Sequence, residues 1–152
     1  MNPRELAGIC GLYCGACSMY RSRVDGNTRR LDKIIQSRQM KPEDAICQGC
    51  GAEVRSLYCR NCQLRQCAVE KGITTCAQCP EAPCPKLIAF NNDGIEHHSG
   101  VLDSIQRQQE TGLDAWLADQ QSFWRCPNCG APTDWYTFHC FRCKAEVPRR
   151  LR

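Results

Sequence analysis

The stretch from Cys47 to Cys84, CQGCGAEVRSLYCRNCQLRQCAVEKGITTCAQCPEAPC, places eight cysteines in 38 residues and constrains the fold more than any other part of the chain. Its isolated apolar residues, such as Val54, Leu57, Leu64 and Ile73, stand apart among polar neighbours. Such a segment buries too little surface to close on itself, and bound metal is the natural source of the missing cohesion. The spacing is regular. Cys50, Cys59, Cys62 and Cys67 are separated by eight, two and four residues, and Cys67, Cys76, Cys79 and Cys84 repeat that pattern with a period of 17. Each CxxC aims two thiolates from one tight turn at one ion, so the repeat reads as two metal-closed loops in tandem, with Cys47 ahead of the first.

Fifteen cysteines, an odd number, argue against a disulfide framework and for reduced thiols. The N-terminal MNPRELAGICGLYCGAC has no basic region followed by an apolar run, and no stretch approaches the roughly 20 apolar residues of a membrane span. A cytoplasmic protein without membrane association is therefore expected. The formal charge of +4 counts each cysteine as neutral. Zinc held by four thiolates carries −2, so three such sites would bring the chain to about −2, and charge does not select a nucleic-acid partner. The bias toward arginine, fifteen against five lysines, suits sulfur, carboxylate and phosphate contacts alike.

Two further cysteine groups flank the central run. Cys10, Cys14 and Cys17 are spaced CxxxCxxC; Gly11 and Gly15 let the backbone turn close to the sulfurs, and SMYRSRV begins a helix whose N-terminus favours thiolates. Asn27 or Thr28 caps a helix from about 29 to 39 with Leu31, Ile34 and Ile35 as its apolar stripe, ended by Pro42. Pro85 opens a short helix that buries Leu87, Ile88 and Phe90, and NNDG at 91–94 breaks the chain. From about 99 to 121 two helices follow, one carrying Val101, Leu102 and Ile105, the other Leu113, Trp116 and Leu117, with Thr111 and Asp114 as a capping box between them. Residues 124–147 match a zinc ribbon. Cys126 and Cys129, then Cys140 and Cys143, sit on two knuckles, with short strands carrying Trp135, Tyr136 and Phe138. Pro127 fixes the first turn and Gly130 supplies the left-handed position that lets amides face sulfur; Lys144 stands there in the second knuckle.

The segments ICGLYCGAC, CQGC, YCRNCQLRQCAVEKGITTCAQCPEAPC and PKLIAF together resemble the cysteine-rich domain-of-unknown-function family numbered 3795, found largely in bacteria and archaea, many of them anaerobic. The resemblance covers about residues 7 to 92 and implies metal ligation. The C-terminal ribbon is an addition to that pattern.

Eleven cysteines lie outside the ribbon. One partition closes a site with Cys47, Cys50, Cys59 and Cys62 and another with Cys67, Cys76, Cys79 and Cys84, leaving Cys10, Cys14 and Cys17 one ligand short. The repeat favours instead Cys50, Cys59, Cys62 and Cys67 together, with the N-terminal thiolates sharing with Cys76, Cys79 or Cys84. Spacing does not choose between them. The triad matches the motif by which radical S-adenosylmethionine enzymes hold a four-iron cluster, but the chain is too short for their barrel, and Ala16 precedes Cys17 where an aromatic is usual. A fourth protein ligand closes the triad in the simpler reading: a central cysteine, or His97 or His98, which otherwise read as solvated surface residues. His139 competes with Cys140 in the ribbon, where the cysteine fits the spacing better.

Zinc is the expected metal, as three or four ions; the alternative is an iron-sulfur cluster at one or more N-terminal or central sites, suggested by Cys79-Pro80, Cys84-Pro85 and the compact triad. Trp124, Trp135 and Phe138, with Arg125, Arg142 and the tail PRRLR, offer a nucleic-acid surface, or else fill the ribbon's small core beside a solvated tail, which is the preferred reading. No phosphate loop, nucleophile elbow, HExxH motif or carboxylate pair points to catalysis. The chain thus reads as a small, metal-stabilised α+β protein: an irregular cysteine-rich domain over 1–92, a helical pair over 93–122 and a zinc ribbon with basic tail over 123–152. Its expected role is a zinc-held binding or adaptor module with a protein partner, nucleic acid being reached through the ribbon. The alternative is an iron-sulfur protein with redox or small-molecule chemistry at the CxxxCxxC site.

Overall fold

The computed structural model describes residues 2–151. Its α-helices are α1 (Ser18–Val24), α2 (Thr28–Ser37), α3 (Leu57–Arg60), α4 (Gln63–Glu70), α5 (Pro85–Asn91), α6 (Val101–Thr111) and α7 (Leu113–Phe123), joined by short 3-10 turns. No helix is long and apolar enough to cross a membrane.

Helix ends are set by local chemistry. Asn27 caps α2, its side-chain oxygen accepting the Arg30 amide at 3.2 Å. Helices α1, α2 and α4 stop in the same way. The chain turns left-handed at Gly26, Gln39 and Gly72 (φ 67°, 51° and 65°), and the next amide reaches back to the carbonyls of Ser22, Ile35 and Ala68 at 2.7, 3.0 and 3.0 Å. In α2 this closure ends the helix before Pro42, which instead opens the 3-10 turn Pro42–Ala45. The EKGI segment is the closure of α4. Gly72 takes the backbone angle that side chains resist, and Ile73 folds onto the core, returning the chain toward Cys76.

Helices α6 and α7 follow one another and pack together, but the capping box does not form. Gly112 alone separates them, at φ 85°; Thr111 donates to the Arg107 carbonyl at 2.9 Å, and Asp114 accepts from Arg4 Nε at 2.8 Å. The pair packs onto the cysteine-rich segments. Val101 and Ile105 of α6 share a core with Ile9, Cys10, Leu64 and Leu87, and Trp116 and Leu117 of α7 share one with Ala7, Tyr13 and Trp124. Gly11 is the point of closest approach. At φ 94°, a methyl there would lie 3.2 Å from Ile105 and from the Val101 carbonyl. Helix α5 buries Leu87 completely and half-buries Phe90, whereas Ile88 is 40% exposed, against its expected burial, because it projects from the opposite side of this short helix.

The expectation of an α+β mixture is corrected: the protein is mostly helical, and among the described residues strands shrink to three isolated antiparallel bridges, Ala7 with Tyr13, Arg125 with Pro132 and His139 with Glu146. In the ribbon each knuckle leaves room for only one bridge. The Trp124 amide, which would extend the first, is spent on the Gln120 carbonyl at the end of α7, and residues 134–137 turn away to pack on the N-terminal segment, so Trp135, Tyr136 and Phe138 lie on no strand.

Candidate metal centres

In the ribbon, the Cys126 and Cys143 sulfurs lie 3.6 Å apart and those of Cys129 and Cys140 3.7 Å apart, with all four within 4.8 Å of one another. A zinc tetrahedron with Zn–S bonds of about 2.3 Å has an edge of about 3.8 Å, which these two pairs match, and the group as a whole could hold a metal ion. The two knuckles are near copies. The Gly130 and Lys144 amides donate to the Cys126 and Cys140 carbonyls, both at 2.9 Å, and both residues are left-handed, at φ 69° and 64°. Lysine thus occupies the glycine position, its ammonium tied to the Phe141 carbonyl at 2.7 Å. Asn128 donates to the Cys143 sulfur at 3.5 Å and, with the Ala145 amide, pulls that thiol down to about 6. At Cys129 the Ala131 amide pulls down, but burial and the neighbouring thiols prevail and raise it to about 11. His139 is exposed and outside the group, leaving Cys140 as the fourth sulfur.

The ribbon is seated on the N-terminal segment by contacts that sequence reasoning missed. Asp134, its side chain 4% exposed, pairs with Arg30 at 2.6 Å and accepts from the Ser18 hydroxyl at 3.0 Å and the Tyr136 amide at 2.8 Å. The Trp135 amide donates to the Ala16 carbonyl at 2.9 Å. His97 stacks on Trp135 with centroids 4.1 Å apart and bonds the Tyr136 hydroxyl at 2.7 Å, while His98 bonds Asp93 at 2.8 Å and stacks on Phe90. Burial pushes His97 down to about 3. Both histidines are thus packing residues, neither solvated nor turned toward the triad. Trp124 is buried and Trp135 packed, but Phe138 is 53% exposed and does not fill the ribbon core. The tail is tied down: Arg149 pairs with Glu96, Arg150 lies 5.0 Å over Phe123, and Leu151 packs near Trp116 and Trp124.

Of the other eleven thiols, nine gather in two neighbourhoods. In the first, Cys59 hydrogen-bonds to both Cys47 and Cys50, and the Cys50 amide donates to the Cys14 sulfur at 3.4 Å. Cys17 is close enough to Cys14 and Cys47 to feel their charge. The Cys59 thiol, with the amides of Ser56 and Gly49, lowers Cys47 to about 5; Cys59, the Ile9 amide and the Arg65 guanidinium lower Cys50 to about 6, and Cys59 itself is driven up as the shared proton donor. Burial raises Cys10, Cys14 and Cys17. Cys14 thus lies beside Cys50, joining the N-terminal and central runs, although among the described residues only the ribbon's four sulfurs stand close enough to share one ion.

In the second neighbourhood, Cys67 on α4, Cys76 and Cys79 on the following 3-10 turn and Cys84 ahead of α5 line a cleft of about 430 Å³. Thr75 holds the turn, accepting from the Ala77 amide at 3.3 Å and donating to buried Gln108 at 2.7 Å, and the Cys76 amide bonds the Ile9 carbonyl at 2.8 Å. Lys71 Nζ lies 3.5 Å from the Cys79 sulfur and pairs with Glu81. Burial, then the charge of Cys84, raises Cys76 to about 12. Cys10 and Cys62 lie between the two neighbourhoods, close to Cys76.

No curated protein and no solved structure matches the chain significantly. A family model described as a protein of unknown function (DUF3795) matches residues 6–89, from the Ala7–Tyr13 bridge through both thiol neighbourhoods to α5 and stopping before the ribbon. That match spans more than half of the 152 residues, and the chain belongs to the DUF3795 family.

Proposed function

We propose that this chain is a zinc-held binding module whose ribbon carries a structural zinc on Cys126, Cys129, Cys140 and Cys143. The observation that carries the reading is the convergence of those four sulfurs, at 3.6 and 3.7 Å across two pairs and all within 4.8 Å of one another. A four-thiolate site leaves no position open for a substrate, so the ion's work is to hold shape. The surface held in this way is the outer side of the second knuckle, where Phe138 and Phe141 are 53% and 47% exposed beside Arg142 and Lys144. Exposed aromatic side chains on a rigid, metal-pinned turn suit recognition of a protein surface.

Metal analysis of the purified full chain, set beside a Cys126→Ser/Cys140→Ser variant, tests the zinc assignment. The variant should lose one zinc per chain; an unchanged zinc content would overturn it. A Phe138→Ser/Phe141→Ser variant should keep its zinc and its fold and lose cross-linked partners. Unchanged cross-linking removes this rim from the proposal.

A further inference from the structure

We propose that the cleft between α4 and α5 holds a four-iron, four-sulfur cluster ligated by Cys67, Cys76, Cys79 and Cys84, with Lys71 hydrogen-bonded to the Cys79 ligand. The inference goes beyond the zinc reading and does not depend on it. It rests first on size. The ribbon's sulfurs close on one another at the edge length of a single-ion tetrahedron, whereas these four line a space of about 430 Å³. On the same measure a single water needs only about 10–15 Å³. One ion does not fill it; a polynuclear cluster does.

The donors and the walls agree with that occupant. Four thiols form a soft ligand set suited to zinc, copper(I) or an iron-sulfur cluster. Between them the walls are apolar, from Leu64, Ala68, Ile73 and Leu87, with Leu87 fully buried. An apolar surround excludes water and, with hydrogen bonds to sulfur, is how a protein tunes a cluster. The local sequence also fits, since Cys76 and Cys79 are spaced CxxC and both Cys79 and Cys84 precede a proline, as the last ligand does in the bacterial ferredoxin run.

Lys71 completes the site. The closure of α4 at Gly72 places its ammonium 3.5 Å from the Cys79 sulfur, and the ion pair with Glu81 holds it there. A cation and an N–H donor on a ligating sulfur stabilise the reduced, more negative form of a cluster, so Lys71 is a positioning and tuning residue rather than a ligand.

The test is anaerobic purification of the full chain, with reconstitution by sulfide and equal amounts of ferrous and ferric iron, followed by iron, acid-labile sulfide and zinc analysis and visible spectroscopy. About four irons and four sulfides per chain are expected, with broad visible absorption that bleaches on reduction. A Cys79→Ser/Cys84→Ser variant should lose at least half of both while keeping the ribbon's zinc, which shows that the rest of the chain is folded. Lys71→Met should keep the full iron and sulfide content and move the cluster's midpoint potential to a more negative value. Zinc without labile sulfide after reconstitution overturns the proposal, and so does a full cluster surviving in the double variant, which would place it on the N-terminal thiols. An unmoved potential in Lys71→Met removes the tuning role. Failure of the ribbon assignment shows separately, as zinc unchanged in Cys126→Ser/Cys140→Ser.

Discussion

Replacing Asp134 by alanine tests whether the ribbon is seated by a buried ion pair. The carboxylate is 4% exposed and faces Arg30 at 2.6 Å. Removing one partner of a fully buried pair costs about 3–5 kcal/mol. Arg30 keeps 30% of its side chain in water, which lowers that cost, but the Ser18 hydroxyl and the Tyr136 amide lose their acceptor as well. We expect about 3 kcal/mol in all, which for a chain of this size lowers the midpoint of thermal unfolding by about 6–12 °C. The assay is urea unfolding in zinc-saturated buffer, followed by tryptophan fluorescence in a Trp116→Phe/Trp124→Phe background, where the signal comes from Trp135, which stacks on His97 beside the pair. A double-mutant cycle with Arg30→Met isolates the pair, with an expected coupling of about 1.5–3 kcal/mol. A coupling below about 0.5 kcal/mol, where independent sites simply add, would refute the argument.

Lys144→Gly relieves a left-handed lysine at φ 64° and should stabilise the zinc-loaded ribbon by about 1 kcal/mol, read as a higher unfolding midpoint. Ile105→Ala, at a residue 2% exposed between the helical pair and the thiols, should cost about 3 kcal/mol in the same denaturation assay. His97 is held near 3, below the usual 6.5, so the folded chain binds fewer protons than the unfolded one between those values. Its contribution is whole above pH 6.5 and is lost as pH falls toward 3; His97→Phe should flatten that part of the stability profile relative to wild type. Exhaustive chelation should abolish order in the ribbon yet leave far-UV helical signal from α6 and α7, because Trp116, Leu117, Tyr13 and Trp124 pack without metal; complete loss of that signal would contradict the packing.

What could be read from the residues is what is local. The CPNCG turn specified its own geometry through Pro127 and Gly130, the periodic apolar stripe of α6 marked Val101 and Ile105, and Asn27 announced the start of α2. Thr111 and Asp114 misled because α6 runs on through Thr111, so the N-cap of α7 falls on Gly112, which has no side chain to cap with. The strands failed because alternation over so few residues is equally compatible with a turn. Long-range contacts left no trace at all. Arg30 meets Asp134 across 104 residues and Cys50 meets Cys14 across 36, and single polar pairings of that kind carry no period to detect. The same limit kept the ligand partition open, since the first neighbourhood draws Cys14 in from outside the repeat.

The ribbon's seat has one more result. Ala16 and Ser18, the residues on either side of Cys17, are both fastened to the ribbon, one through the Trp135 amide and the other through Asp134. The loop presenting Cys14 and Cys17 is therefore clamped from a distant part of the chain. Loss of order in the ribbon therefore slackens the clamp and loosens the N-terminal thiol loop as well, although the two lie at opposite ends of the chain.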